Sequence, residues 1–331
     1  EKYGIESHRI GGLYDYGRFG AKYDDIPNEE KIANISIENV RHIDLRVGNT
    51  CNFMCVMCGG ANSHLIAKED KKFTPIFGLK REGPVTVDWG DQTDNILTFL
   101  SKAINIKTLT IAGGEPFYNK PLLIKILKSV LHIKDNIKVT IITNGSSSDK
   151  AVWDLLTQFR KVDINLSLDG TDQYIEIQRW KANWKEIDQN IKDIGKMLVD
   201  AKKTYNKRED TNVRLRLVPV ITALTITNLT SLLQWVEDTD IISDCFPEFV
   251  IDPDFMQCSL VKQEVLDKIT NEVSSMSLEK TSKKRICTYL KNTKQESHHR
   301  SEFDRYFSEL KTKRGLDVYK SIPELKDTLL S

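Results

Sequence analysis

The sequence predicts an α/β protein, an open or partial barrel of six strand–helix units followed by a mainly helical C-terminal extension. Between residues 41 and 240, short apolar runs typical of strands alternate with stretches whose apolar residues recur at helical spacing, which indicates a parallel sheet. The six units are fewer than the eight of a closed barrel, so an open sheet or partial barrel is expected. From about residue 253 onward the apolar pattern is helical only.

The strands are predicted from short runs of apolar and β-branched residues. They are His42–Val47, Thr108–Ile111, Lys138–Thr143, Val162–Leu168, Val213–Ile221 and Glu248–Ile251. Helices are predicted between them where apolar residues lie three or four apart, as at Ile187 and Ile191. We therefore expect an irregular lead-in at residues 1–40, the barrel at residues 41–240 and the extension at residues 241–331.

The composition is that of an ordinary globular protein. Of the 331 residues, 40% are hydrophobic and 29% are charged, and 48 basic residues nearly balance 47 acidic ones. The net charge of +1 gives no reason to expect a nucleic acid as partner. The sequence has neither an apolar run of the roughly 20 residues that span a bilayer nor a signal-peptide pattern, so we expect no membrane partner and a cytoplasmic location. Residue 1 is glutamate rather than an initiator methionine, and an upstream segment is expected.

Three cysteines, Cys51, Cys55 and Cys58, lie within eight residues directly after the first predicted strand, in the run Cys-Asn-Phe-Met-Cys-Val-Met-Cys. Soft thiolates this close together favour iron–sulfur, zinc or copper over a hard cation. Three thiolates leave a four-coordinate metal one ligand short, and a catalytic centre needs such an open position. The motif therefore indicates a metal centre that can bind a further ligand.

Two other interpretations of the cysteines stay open. Spacings of four and three place the side chains on one face of a helix, where they would be buried apolar groups, although Asn49 and Asn52 favour a loop over a helix interior. A zinc knuckle would need a fourth ligand, and His64, six residues after Cys58, fits no common zinc spacing. A disulfide is not expected without secretory features. The spacing favours a metal cluster over these alternatives.

Further polar motifs follow the next predicted strands, and the carboxyl ends of parallel strands meet at one edge of a sheet. We therefore expect their side chains to lie near the cysteines. Alone, each motif is an ordinary turn, and the arginine that follows them would be an ordinary surface charge. The candidate residues are Gly113, Gly114, Glu115, Pro116, Asn144, Ser167, Asp169 and Arg179.

Together these motifs resemble the radical S-adenosylmethionine (SAM) superfamily. The Cys-x3-Cys-x2-Cys run matches the cluster motif of that family, and Gly113–Pro116 matches its methionine-binding motif. The resemblance covers roughly residues 40–235. It implies a partial (β/α)6 TIM barrel and an enzyme that cleaves SAM reductively to a 5′-deoxyadenosyl radical, which abstracts a hydrogen atom from the substrate. A low-potential electron donor such as flavodoxin or ferredoxin is implied as partner.

The resemblance also implies roles for the candidate residues. The three cysteines would hold three irons of a [4Fe–4S] cluster, and the amino and carboxylate groups of SAM would bind the fourth iron. Gly113–Pro116 would contact the methionine amino group, with Glu115 as the charged member. The ribose or methionine moiety would be met by Asn144, Ser167 and Asp169, and the carboxylate by Arg179. Met57, where the family usually has an aromatic residue, would pack against adenine.

The extension resembles the twitch-bearing branch of the family, in which SPASM or shorter twitch domains hold auxiliary clusters. Its local cysteines, Cys245, Cys258 and Cys287, contain no Cys-x2-Cys pair, so we expect buried free thiols rather than an auxiliary cluster. Relatives in this branch often modify peptides, which implies a peptide substrate. A sugar or another small molecule remains the alternative. A non-catalytic iron–sulfur or zinc module is the alternative of a different class.

Overall fold

The computed structural model describes residues 36–73, 84–204 and 212–331. The chain divides into two compact units, Glu1–Val40 and Arg41–Ser331. Of the predicted lead-in, only residues 36–40 are described, and they contain the short 3-10 turn Ile37–Asn39. Residues 1–35 of the lead-in lie outside the described residues.

The second unit is built on a sheet of six parallel strands that pair in chain order. The strands are β1 (His42–Arg46), β2 (Thr108–Ala112), β3 (Lys138–Thr143), β4 (Lys161–Leu166), β5 (Asn212–Leu217) and β6 (Ile242–Cys245). Two pairs of short strands lie outside this sheet, Met54–Cys55 with Arg179–Trp180 and Val220–Ile221 with Glu248–Phe249.

The helices surround this sheet and continue into the C-terminal part. They are α1 (His64–Lys72), α2 (Thr93–Lys102), α3 (Lys120–Ser129), α4 (Lys150–Leu156), α5 (Asp172–Gln178), α6 (Trp184–Thr204), α7 (Leu229–Asp238), α8 (Gln263–Ser275), α9 (Lys283–Asn292), α10 (Arg300–Arg314), α11 (Val318–Ser321) and α12 (Leu325–Thr328). At least one helix lies between each pair of consecutive strands, and α8–α12 follow the last one. The predicted fold class, a partial (β/α)6 barrel with a mainly helical extension, is confirmed.

The prediction of the sixth strand is wrong. Glu248–Ile251 was expected to complete the sheet, but only Glu248–Phe249 is extended, and it pairs with Val220–Ile221 outside the sheet. The sixth position belongs to β6, whose central Ser243 and Asp244 interrupt the apolar run by which strands are recognised in a sequence. Tertiary pairing with β5 therefore decides this strand.

The two faces of the sheet differ in polarity. Leu109, Val139, Ile141 and Ile164 alternate along the strands, are fully buried and face the layer of helices. The opposite face is polar. One of its rows, in register across β2 to β5, consists of Thr110, Thr140, Asp163 and Arg214. Strands that are buried on both faces are apolar almost throughout. The alternation in this sheet therefore gives the barrel a polar inner face, called the concave face below.

Asp163 is the centre of a charged cluster on that concave face. Its carboxylate is buried and lies 2.6 Å from Lys138 Nζ, 2.9 Å from Arg214 Nε and 3.3 Å from an Arg216 guanidinium nitrogen. Burial by itself would raise the pKa of Asp163, but Lys138 and Arg214 outweigh it and hold the pKa below its usual value. The ion pairs therefore stabilise the sheet where Asp163 is ionised.

Replacing Asp163 tests this cluster. Asp163→Asn is expected to lower the free energy of unfolding by about 2 kcal/mol, because three cations lose the buried carboxylate that they share. Since the folded pKa is depressed, the advantage of the wild type is present above the unfolded pKa of about 3.9 and is lost as the pH falls through the folded value. Urea unfolding at several pH values measures both effects.

The matched control is Asp154→Asn, which removes an exposed carboxylate that pairs with Lys150 within helix α4. An exposed pair of this kind contributes less than about 0.5 kcal/mol. Equal losses in the two variants would contradict the assigned role of Asp163.

The C-terminal part packs as a helical layer, with α8 against α9 and α10 against the turn Asp254–Met256. Its core includes Phe303, Phe307 and Leu310 on α10. Among the residues that the structure describes, no helix combines the length and the apolar character needed to cross a membrane.

Candidate functional site

The three cysteines lie in a loop, not on a helix. Residues 47–63, which connect β1 to α1, are called the cysteine loop below. Cys55 lies in the short strand that pairs with Arg179–Trp180, and the N–H of Cys58 closes a turn on the Cys55 carbonyl at 3.0 Å. Cys51 and Cys55 are buried and Cys58 is half-buried. The helical interpretation of their spacing is therefore wrong.

Asn49 anchors the start of the cysteine loop. Its side chain is fully buried and donates to the carbonyls of Gly60 and Val85, each at 2.9 Å, while its oxygen accepts from Val87 N–H at 2.8 Å. All of its polar groups are used to hold three backbone segments together. Nothing in the local sequence marks Asn49 as more than a loop residue.

His64 contacts the loop from the first residue of α1. Its Nδ1 accepts a hydrogen bond from the Cys51 N–H at 3.1 Å. His64 does not line the cleft that the cysteines form. The histidine considered as a fourth zinc ligand thus supports the backbone at Cys51.

Two glycines bring the end of β2 against the cysteine loop. Gly113 and Gly114 have φ values of +94° and +52°, and a Cβ atom on Gly114 would lie 2.3 Å from the Thr50 carbonyl oxygen. The N–H of Glu115 donates to the same carbonyl at 2.8 Å. Only glycine permits both this conformation and this close approach. Gly113 and Gly114 are therefore required by the contact between two loops.

Glu115 connects the ends of β2 and β3. Its buried carboxylate accepts from the Thr143 hydroxyl at 2.7 Å, from Asn144 N–H at 2.6 Å and from Phe117 N–H at 3.0 Å. Burial raises the pKa of Glu115, and these hydrogen bonds counteract only part of the rise. A carboxylate has about four acceptor positions, so one remains for a ligand.

Asn144 joins the end of β3 to the cysteine loop. Its amide donates to the Asn52 side-chain oxygen at 2.9 Å, and the Asn52 amide donates to the Ser146 hydroxyl at 2.9 Å. The Asn144 oxygen accepts from the Ser146 N–H at 3.0 Å. This ring of hydrogen bonds fixes Asn144 at the cleft, and sequence reasoning did not include Asn52 in the site.

Arg179 carries a buried positive charge beside Cys55. One guanidinium nitrogen donates to Asp169 Oδ1 at 3.0 Å and the other approaches Cys55 Sγ at 3.7 Å. Arg179 Nε lies 2.8 Å from Asp169 Oδ2 as an ion pair, although its N–H is not aligned for a hydrogen bond. Asp169 also accepts from Val220 N–H at 2.8 Å. Asp169 therefore lies behind Arg179 and orients it.

Eight of the twelve candidate residues line one cleft of about 80 Å³. They are Cys51, Cys55, Cys58, Gly114, Glu115, Asn144, Ser167 and Arg179. Gly113, Pro116 and Asp169 lie beside the cleft without lining it, as does Met57, which is half-buried next to Cys58. Lining residues that sequence reasoning missed are Phe53, Asn62, Ser63, Ile142 and Thr143. They follow no sequence pattern and enter the cleft through the packing of the loops.

The three thiols are electrostatically unequal. Burial raises the pKa of Cys51 to about 12. A hydrogen bond from the Cys58 thiol lowers the pKa of Cys55 against the effect of burial, and the charge of Arg179 lowers it further. The same hydrogen bond, together with burial, raises the pKa of Cys58. Cys55 is therefore the thiol that ionises most readily in the metal-free protein.

The donor set fits an iron–sulfur cluster. A tetrahedral zinc ion with Zn–S bonds of about 2.3 Å requires its sulfur ligands to lie about 3.8 Å from one another. Among the described residues, the groups of ligand atoms within 4.8 Å of one another both centre on His299, and the three cysteines form no such group. A cluster gives each thiolate its own iron, so it does not require this crowding. Cys245, Cys258 and Cys287 form no such group either.

The fold and the site agree with one family comparison. A parallel α/β barrel carries three soft thiols at the carboxyl end of its first strand, in contact with the polar loops of the following strands. Residues 45–206 match the model of the Radical SAM superfamily.

The comparison with solved structures finds matches of low sequence identity. "Native anSMEcpe with bound AdoMet" is 15% identical over 71% of this chain and 59% of that chain, with a TM-score of 0.48. SuiB of Streptococcus suis bound to the precursor peptide SuiA is 13% identical over 89% of this chain and 53% of that chain, with a TM-score of 0.45. SuiB bound to S-adenosylmethionine is 13% identical over 84% of this chain and 57% of that chain, also with a TM-score of 0.45. The chain thus spans between half and two thirds of the length of these proteins. A search of curated proteins finds no match.

The contact at Gly114 is testable by adding one methyl group. Gly114→Ala is expected to lower the free energy of unfolding by more than about 1 kcal/mol, because it combines a positive φ with a Cβ that collides with the Thr50 carbonyl. It is also expected to reduce the iron bound after anaerobic reconstitution. The control is Gly59→Ala in the same loop, where a Cβ meets no atom within 4 Å. If both variants matched the wild type in urea unfolding and iron content, the required close approach would be disproved.

Proposed function

We propose that this protein is a radical SAM enzyme in which Cys51, Cys55 and Cys58 hold a [4Fe–4S] cluster. The observation that carries the proposal is the convergence of three thiols with Glu115 and Asn144 on one cleft, within the part of the chain that matches the Radical SAM model. When bound, the cluster and SAM supply a 5′-deoxyadenosyl radical that abstracts a hydrogen atom from the substrate.

In this proposal the residues of the chain bind SAM and orient it. The Gly113–Pro116 segment contacts the methionine amino group, for which Glu115 has an acceptor position left. Asn144 and Ser167, which both line the cleft, contact the ribose or methionine moiety. Met57 packs against adenine from its half-buried position beside Cys58.

Arg179 and Asp169 act as a pair. Arg179 lines the cleft and binds the SAM carboxylate, while its fixed charge near Cys55 favours the thiolate form that a metal ligand requires. Asp169 was expected to contact SAM directly. Because its oxygens face Arg179 and the N–H of Val220, we propose that it acts by holding Arg179 in place.

The substrate that we propose is a peptide, as the resemblance to the twitch-bearing branch implies. The polar concave face of the sheet, with Thr140, Asn165, Arg214 and Arg216, offers hydrogen-bonding groups to such a substrate. The C-terminal extension serves as its lid or platform and holds no auxiliary cluster. The electron comes from a flavodoxin or ferredoxin.

Replacing one cysteine tests the chemistry. Cys55→Ala is expected to abolish 5′-deoxyadenosine release in anaerobic incubations with SAM and dithionite, because the cluster loses one of its three thiolate ligands. The fold is expected to persist, since the strand at Cys55 pairs through its backbone. Cys287→Ala, on helix α9 of the extension, is the matched control and is expected to keep about four irons and full release. Retained release in Cys55→Ala would refute the proposal, and about eight irons in the wild type would indicate an auxiliary cluster.

The same assay separates the alternatives. A non-catalytic module would bind iron or zinc and release no 5′-deoxyadenosine. A peptide substrate is expected to raise the release several-fold and to change in mass, and a short peptide encoded next to this protein is the first to be tried. Stimulation by sugars, and by no peptide, would instead assign the enzyme to carbohydrate chemistry.

A further inference from the structure

We propose that helix α10 of the C-terminal extension positions the cysteine loop through two side chains, Tyr306 and Arg314. Each contacts a backbone carbonyl next to Cys55, about 250 residues away along the chain. The consequence for the cluster rests on the proposed function, whereas the contact itself does not.

Tyr306 supports the loop on the C-terminal side of Cys55. Its hydroxyl donates to the Val56 carbonyl at 2.7 Å. The ring is held between Phe255 and Phe307, with centroid distances of 5.1 and 5.2 Å. An aromatic side chain that is packed on two sides has little freedom to move, so the hydroxyl is held at a fixed place.

Arg314 supports the loop on the N-terminal side of Cys55. One guanidinium nitrogen donates to the Met54 carbonyl at 3.0 Å, and the remaining nitrogens form a bidentate pair with Glu69 at 2.7 to 3.2 Å. Only 5% of the Arg314 side chain and 14% of the Glu69 side chain are exposed. Since Glu69 lies on α1, Arg314 connects the extension both to the cysteine loop and to the helix that follows it.

The barrel supports the same segment from its other side. Val56 N–H donates to the Gln178 carbonyl at 2.8 Å, and Met54–Cys55 pairs with Arg179–Trp180. The segment around Cys55 is therefore held by backbone pairing with the barrel and by two side chains of the extension. Neither Tyr306 nor Arg314 touches the cleft, so both are positioning residues that act through the backbone.

Variants that remove only these contacts test the inference. Tyr306→Phe deletes the hydroxyl and keeps the packed ring. Arg314→Met is combined with Glu69→Gln, so that no carboxylate is left without its partner. The controls come from the same helical layer. Tyr319→Phe removes a hydroxyl that bonds Asp304, and Arg300→Met removes a guanidinium that donates to the Leu330 carbonyl at 2.6 Å.

The first measurement is hydrogen exchange in the metal-free protein. The amides of Val56 and Cys58, both hydrogen-bonded in the structure, are expected to exchange about tenfold faster in Tyr306→Phe and in the double variant. The second is the rate at which an iron chelator removes iron from reconstituted protein, which is expected to rise several-fold. Both control variants are expected to match the wild type in each measurement.

Unchanged exchange at Val56 and Cys58 in Tyr306→Phe would overturn the inference, as would an equal increase in the controls, which would indicate a general loosening of the extension. If the double variant does not fold, Tyr306→Phe decides alone. A wild-type protein that takes up no iron would refute the proposed function, while the exchange of the metal-free protein still decides whether α10 positions the loop. The two failures are therefore distinguishable.

Discussion

The site depends on how closely the backbone after β2 approaches the backbone after β1. Gly114 lies so near Thr50 that even a Cβ atom would collide with its carbonyl, and the N–H of Glu115 bonds that same carbonyl. This contact aligns the loop that carries the thiols with the loop that carries Glu115. The hydrogen bonds from Glu115 to Thr143 and Asn144 then bring in the end of β3. One close backbone contact thus orders three strand ends.

The charges around the thiols are paired before any ligand binds. Asp169 neutralises Arg179, and Glu115 accepts three hydrogen bonds in a buried position. A buried charge without such partners would cost several kcal/mol. Because these partners also hold the side chains in place, the polar groups of the cleft are oriented in advance of binding.

The sheet and the helical extension make different contributions around the site. The sheet keeps charged groups such as Asp163 and Arg214 on the face that a larger closed barrel would fill with apolar side chains. The extension reaches the backbone around Cys55 from the opposite side, through Tyr306 and Arg314. The mainly helical extension therefore contributes to the geometry of the thiols.

Much of the fold could be read from local patterns, because apolar runs and their spacing are properties of neighbouring residues. Strand β3 has the predicted bounds, whereas β6 was missed because Ser243 and Asp244 interrupt its apolar character. The sequence by itself determined that three thiols follow the first strand and in which order the polar motifs come after them. Only the tertiary structure decided that Asp169 pairs with Arg179 and that α10 supports the cysteine loop. Hydrogen bonds between distant residues depend on positions in space, and no spacing along the chain encodes them.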